Sequence, residues 1–301
     1  MDLRQLEYFL AIAERRNITA AATELNVTQP TLTKSIKLLE DELGVTLFER
    51  LPRGVELSAF GRVLLRHAQA VHVQIKDAGE EIAALRGGAL GSVTIGAGPA
   101  WLRRHLPVAT ARVIARHPKA HIRVEGGFDE ALFRALRHGE LDFVVAELPS
   151  PEDRRDLEVM PLTSDSLGIC CRPGHPLARR RKVALADLPK FPWAMPPRTT
   201  RAQRRLAALF VAHDLPPPVS CVETGSLAFL LNVLHRSDAV TYTVSKTLAT
   251  RDGADLVMLN VPEITATREA GVVTRRGAWL SPIAATVIEE LKEICAAEPQ
   301  N

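Results

Sequence analysis

The stretch Thr28-Gln29-Pro30-Thr31-Leu32-Thr33-Lys34-Ser35-Ile36-Lys37-Leu38-Leu39-Glu40 decides how this chain is read. Thr28 can cap a helix, and Pro30 sits in its first turn, where a missing amide proton costs little. Leu32, Ile36 and Leu39 fall at i, i+4 and i+7, so they face a core, and the helix runs to about Glu40. The opposite face carries Pro30, Thr33, Lys34 and Lys37, with Gln29 and Thr31 toward the exposed N-terminal end. Amide, hydroxyl and ammonium groups, with no acid before Glu40, are the chemistry a helix needs to enter a DNA major groove. Lysines and threonines also occur on ordinary solvated faces, so the flanking segments must decide.

Upstream, Leu3, Leu6, Phe9, Leu10 and Ala13 recur at helical spacing, and Arg15-Arg16-Asn17 closes that helix. A second short helix spans Thr19 to Leu25, where Ala20, Ala21 and Ala22 let another helix approach closely, and Asn26-Val27 supplies a tight turn. Two helices joined in this way make a helix-turn-helix. Downstream, Leu47-Phe48-Glu49-Arg50 leads through Pro52-Arg53-Gly54 to Val55-Glu56-Leu57, two short apolar runs around a Pro/Gly turn. This predicts a hairpin wing, with Arg50 and Arg53 placed for phosphates or a minor groove.

Gln29-Pro30-Thr31-Leu32-Thr33, Leu38-Leu39-Glu40, Leu43-Gly44, Leu47-Phe48-Glu49-Arg50 and Leu57-Ser58-Ala59-Phe60-Gly61 together resemble, in order and spacing, the DNA-binding signature of LysR-type transcriptional regulators. Thr33 stands where that family usually has serine, and Phe60 where a small residue is usual. The resemblance implies a multi-domain chain: an N-terminal winged helix-turn-helix (1–57), a linker and dimerisation helix (58–87), a hinge (88–91) and a two-lobed α/β effector domain (92–301) similar to periplasmic solute-binding proteins. It also implies double-stranded promoter or operator DNA as partner, a small-molecule effector, a homodimer or homotetramer, and contact with RNA polymerase. The implied DNA contacts are Thr28, Gln29, Pro30, Thr31, Thr33, Lys34, Lys37, Arg50 and Arg53.

From Ser58, a plausible cap, to Leu85 the sequence is rich in helix formers. Gly61, Leu64, Ala68, Val71, Ile75, Ala78, Ile82 and Leu85 alternate steps of three and four, the spacing of a coiled-coil seam. The seven from Leu64 to Leu85 are the expected dimer contacts. The same stripe could pack within its own domain; pairing two chains would instead place two recognition helices on one duplex.

Beyond Gly91 short β runs alternate with helical stretches, as in parallel α/β units. Strands are expected at Ser92 to Gly98, His121 to Gly126, Asp142 to Leu148, Leu167 to Arg172, Trp193 to Met195, Ser220 to Glu223, Ala239 to Ser245 and Ala270 to Thr274. Helices are expected at Trp101 to His117, Phe128 to His138, Thr200 to His213, Ser226 to His235 and Pro282 to Cys295. Lobe 1 then comprises about 92–162 and 268–301, and lobe 2 about 163–267. Ligands of open α/β sheets bind at the carboxyl ends of strands, where helix N-termini point. That selects Gly98, Pro99, Ala100, Phe128, Asp129 and Glu147 from lobe 1, and Arg198, Thr199, Thr200, Thr224, Gly225 and Ser226 from lobe 2. Arg198 or Arg201 could supply positive charge. Asp129 and Glu147 argue against a strongly anionic ligand, and a sugar, a sugar acid or an aromatic acid all remain open.

A length of 301 residues with 46% hydrophobic and 24% charged residues suits two or three folded units. The net charge of +3 says little about DNA, because residues 1–90 hold 11 Lys and Arg against 12 Asp and Glu. The interrupted apolar runs at the N-terminus suggest no export, and no run is long enough to span a membrane, so a cytoplasmic location is expected. Cys170, Cys171, Cys221 and Cys295 lack the spacing of a zinc site and read as small hydrophobes, a redox role for one of them remaining open. The runs Arg179-Arg180-Arg181-Lys182 and Arg204-Arg205 read as solvated surface. No phosphate loop, nucleophile elbow, dinucleotide fingerprint or metal-ligand cluster is present in the sequence, so no enzyme, metal or cofactor is expected. A transport receptor of the same two-lobed fold would need an export signal and no DNA-reading head.

Overall fold

The computed structural model describes residues 1–52, 54–85, 92–250 and 253–298. Arg53 and the expected hinge at 88–91 lie outside the described residues. The chain divides near residue 87 into two compact units.

The first unit opens with α1 (Leu3–Arg15), started by a capping box in which Asp2 accepts from the Gln5 amide and Gln5 reaches back to the Asp2 amide. Asn17 caps α2 (Ile18–Glu24), one residue ahead of the expected start, because its carboxamide accepts from the Ala20 amide at 3.0 Å. Asn26, in the left-handed region with φ 52°, turns the chain into α3 (Gln29–Leu43). This helix runs three residues past Glu40 and stops at Gly44, whose φ of 67° suits glycine. Leu32 and Leu39 are fully buried against Phe9, Ile12 and Leu47, and Ala21 and Ala22 are buried beside them.

The wing is a two-stranded antiparallel hairpin, β1 (Phe48–Leu51) and β2 (Gly54–Leu57), paired from Phe48↔Leu57 to Leu51↔Gly54. Glu40 fixes its entry. Its Oε1 accepts the Leu47 amide at 2.6 Å and the Phe48 amide at 3.2 Å.

Helix α4 (Ala59–Leu85) follows, with Ser58 accepting from the Gly61 amide at 3.0 Å and donating to the Thr46 carbonyl at 2.6 Å. A Cβ at Gly61 would collide with the Leu47 carbonyl oxygen, so this position must be glycine for α4 to pack on the head. The structure shortens the expected seam. Ala68 is buried in the head core and Leu64 is half-buried against it, so these two serve their own unit, whereas Val71, Ile75, Ala78, Ile82 and Leu85 are exposed.

The second unit contains a seven-stranded sheet in the order β10-β6-β11-β5-β3-β4, with β9 also paired to β6. Lobe 1 is built on β3 (Ser92–Ala97), β4 (His121–Gly126) and β5 (Phe143–Glu147), which run parallel about β3. Its helices are α5 (Pro99–Arg103), α6 (His105–Arg116), α7 (Asp129–Arg137) and α10 (Pro282–Ala296). The single helix expected from Trp101 to His117 is broken at Arg104. Pro107 offers no amide to the Arg103 carbonyl and its ring would strike it, which ends α5 there. Arg112 and Arg116 of α6 both pair with the buried Glu290 of α10.

Two long antiparallel strands, β6 (Leu157–Cys171) and β11 (Thr267–Arg275), pair from Thr267↔Ser166 to Arg275↔Leu157. The first half of β6 is missing from the expected strand at Leu167 to Arg172, since its alternating exposure carries no continuous apolar run. Beyond Ser166 the same strand pairs with β9 (Thr241–Val244) and β10 (Val257–Leu259) to found lobe 2. Lobe 2 is completed by β7 (Trp193–Met195), α8 (Arg201–Ala212), β8 (Ser220–Glu223) and α9 (Leu227–Arg236). Separate cores around Phe143 and Val287, and around Trp193 and Phe210, make the two lobes distinct bodies.

Candidate functional site

Two regions concentrate polar groups that the folds do not need for themselves. The first is the outer face of α3. Thr28, Gln29, Pro30, Thr31, Lys34 and Lys37 are exposed and Thr33 is half-buried. The Thr28 hydroxyl caps the Thr31 amide at 3.4 Å and lies 2.8 Å from the Thr31 hydroxyl, so both side chains are tied to the helix start. Gln29 Nε2 donates to Thr33 Oγ1 at 3.4 Å. Lys34, Lys37 and the exposed Arg50 form no ion pair among the described residues, and Glu40 is turned onto the wing backbone. A shallow groove of about 660 Å³ brings Gln29 and Thr33 together with Arg50 and, outside the expected set, Asn17 and Thr19. The face is cationic and flanked by a wing, an arrangement that fits a duplex groove.

The second region is a cavity of about 100 Å³, open to solvent, between the lobes of the second unit. Gly98, Pro99, Ala100, Phe128, Asp129, Glu147, Thr200 and Thr224 line it as expected. Arg198, Thr199, Gly225 and Ser226 do not. Arg198 is 70% exposed and faces Glu223 at 3.7 Å, while Thr199, Gly225 and Ser226 are exposed loop residues. Arg201 donates to the Leu148 carbonyl at 2.8 Å and lies over the Phe133 ring, so it is not the cleft's cation. That role falls to Arg268 of β11, which the sequence does not mark because it sits in a strand far along the chain. Trp101, Tyr242, Thr241 and Thr243 also line the cavity unexpectedly. All but Trp101 come from β9, which is held at the cleft by its pairing with β6.

Carboxylates and guanidiniums meet along the cavity wall. Glu147 is 8% exposed; Arg205 donates to it at 2.6 Å and Arg268 approaches its other oxygen at 3.4 Å. Arg268 is shared with Asp165 at 3.6 Å. Asp129, half-buried at the start of α7, has its carboxyl pushed up to about 6, by burial first and by the neighbouring Glu147 carboxylate second, against the pull of Arg268. At the helix starts beside the cleft, Thr200 caps the Gln203 amide, Ser226 caps the Phe229 amide, and Thr224 accepts from the Ser226 amide.

No group of three or more His, Cys, Asp or Glu able to hold a metal occurs among the described residues, and no helix among them is long and apolar enough to cross a membrane. Cys170, Cys171 and Cys295 are buried, and burial pushes their thiols up to about 12, 11 and 11.

Residues 3–62 match the family described as bacterial regulatory helix-turn-helix protein, lysR family, and residues 86–296 match the LysR substrate binding domain. The chain belongs to the LysR family. Among curated relatives of this LysR-family chain, the HTH-type transcriptional regulator GbpR of Azospirillum brasilense is 36% identical over 80% of this chain and 71% of its own length. The SDS degradation transcriptional activation protein of a Pseudomonas strain is 33% identical over 94% of this chain and 93% of its own. A full-length OxyR variant from Pseudomonas aeruginosa shares the fold with a TM-score of 0.64 at 23% identity, covering 99% of this chain and 95% of that one. CbnR in complex with its target DNA does so with a TM-score of 0.59 at 23% identity, covering 97% and 99%. This LysR-family chain is therefore a DNA-binding transcriptional regulator with an effector domain, not an enzyme.

Proposed function

We propose that this regulator reads a two-fold-related promoter site with the outer face of α3, two copies being held together along α4, and that a small molecule bound between the lobes alters its affinity for that site. The observation that carries the reading is the polar face of Gln29, Thr33, Lys34 and Lys37 beside Arg50, its three cations in no ion pair among the described residues, on a helix whose opposite side is committed to the core. Thr28, Pro30 and Thr31 shape the start of that face, and Arg53 is assigned with Arg50 to the wing. The exposed stripe of Val71, Ile75, Ala78, Ile82 and Leu85 supplies an apolar contact for a second copy. The protein would act in the cytoplasm, and the mechanism needs no metal or cofactor. Ligand control requires that the effector bind two arrangements of the molecule with different affinity.

Selection of bound duplexes from a random DNA pool, at near-physiological salt, tests the reading. Enrichment of an inverted repeat whose two halves lie about one helical turn apart supports it. A folded, dimeric protein that enriches no sequence in the absence or presence of cell extract metabolites overturns it.

A further inference from the structure

The interlobe cleft has more capacity to accept hydrogen bonds than to neutralise negative charge. Two carboxylates line it, those of Asp129 and Glu147. One guanidinium, Arg268, lines it, 3.4 Å from Glu147 and 3.6 Å from Asp165. At the starts of α8 and α9 the Gln203 and Phe229 amides are bonded to the Thr200 and Ser226 caps. An entering carboxylate or phosphate would therefore lose its water beside two carboxylates and face a single guanidinium that already lies between acids, a costly exchange. A hydroxyl group meets the opposite situation. Its proton can go to the Asp129 carboxylate, and its oxygen can accept from the hydroxyl of Thr241, a residue buried in the cavity wall whose hydroxyl has no hydrogen-bond partner. The rest of the wall is mostly apolar and includes Trp101 and Phe128, against which the C–H side of a ring can pack.

We propose that the cleft takes an uncharged, hydroxyl-bearing ring compound of monosaccharide size, with Asp129 accepting its hydroxyl protons and Thr241 bonding the ligand from lobe 2. Of the ligand chemistries compatible with the sequence, this selects the neutral sugar over the sugar acid and the aromatic acid. The inference rests on the reading of the cleft as the effector site.

Calorimetric titration of the full-length protein at pH 7.5 tests it with a panel of neutral pentoses and hexoses, the corresponding aldonic and uronic acids, benzyl alcohol and benzoate. At least one neutral sugar should bind, at least tenfold more tightly than its acid. Asp129→Asn and Thr241→Val should each weaken that binding severalfold or more, with a cooperative melt showing that the variant is folded, while Arg198→Ala outside the cavity binds as the parent does. An acid that binds as tightly as its neutral sugar, binding confined to the aromatic compounds, or no binding by any member of the panel overturns the inference. DNA affinity is read in parallel. A compound that shifts DNA affinity but ignores Asp129→Asn and Thr241→Val overturns the ligand assignment and leaves the regulator reading intact. A sugar held through Asp129 that leaves DNA affinity unchanged supports the ligand class and overturns control through the cleft.

Discussion

Arg205 of α8 donates to Glu147 of β5 at 2.6 Å, and the two residues belong to different lobes. Arg201 and Arg204 lie on the same helix face at i−4 and i−1, and both also reach lobe 1, at the Leu148 carbonyl and Glu130. The strength of such a bridge depends on how far each pair is withdrawn from water. Glu147 is 8% exposed, whereas Arg204 and Glu130 are both about half exposed.

Arg205→Ala should therefore cost about 1–3 kcal/mol in urea unfolding, because it removes a hydrogen bond to a buried charge. Arg204→Ala should change stability by less than about 1 kcal/mol. Equal effects would show that the Glu147 pair is screened by solvent.

On α3, Lys34→Ala and Lys37→Ala should each weaken DNA binding and lower the slope of log affinity against log salt by about 1. Fluorescence anisotropy across a salt series measures both quantities. An unchanged slope would remove the residue from the phosphate contacts.

Along α4, Ile75→Glu should convert the assembly to monomers in sedimentation velocity while leaving the melting temperature of the head nearly unchanged, since Ile75 is 48% exposed within the chain. Ala68→Leu should do the reverse. Ala68 is buried in the head core, and added methylenes there cost about 1–3 kcal/mol.

Asp129 gives the effector domain a pH signature. Its folded-state pKa of about 6 lies above that of an unfolded aspartate, so its contribution favours folding at low pH and is lost as pH rises toward and through 6. Thermal melts of Asp129→Asn should gain on the parent between pH 4 and pH 7.5. A difference that is constant with pH would show that the carboxyl titrates normally.

With Cys170, Cys171 and Cys295 buried and Cys221 exposed, a thiol reagent at pH 8 should modify one cysteine quickly in the native protein and all four in denaturant. Fast native modification of Cys170 or Cys171 would contradict the packing of β6.

The head was legible residue by residue because its signals are local. Leu32, Ile36 and Leu39 mark one side of α3 by spacing alone, and all three are buried. The cleft was legible only where it is made of strand-to-helix turns, as at Gly98, Asp129 and Glu147. Arg198 and Arg201 misled because a basic residue beside a cleft loop can turn either way, and Glu223 and the Leu148 carbonyl took them. Arg268, Tyr242 and Thr241 carried no motif at all.

By itself the sequence determined the order of the parts and the helix-turn-helix, since apolar periodicity, caps and turn residues act over a few positions along the chain. Tertiary structure alone decided the charge of the interlobe cleft. Long strands β6 and β11 bring Arg268 and β9 to residues more than a hundred positions away, and only that pairing sets which carboxylates are neutralised and which hydroxyl is left without a partner.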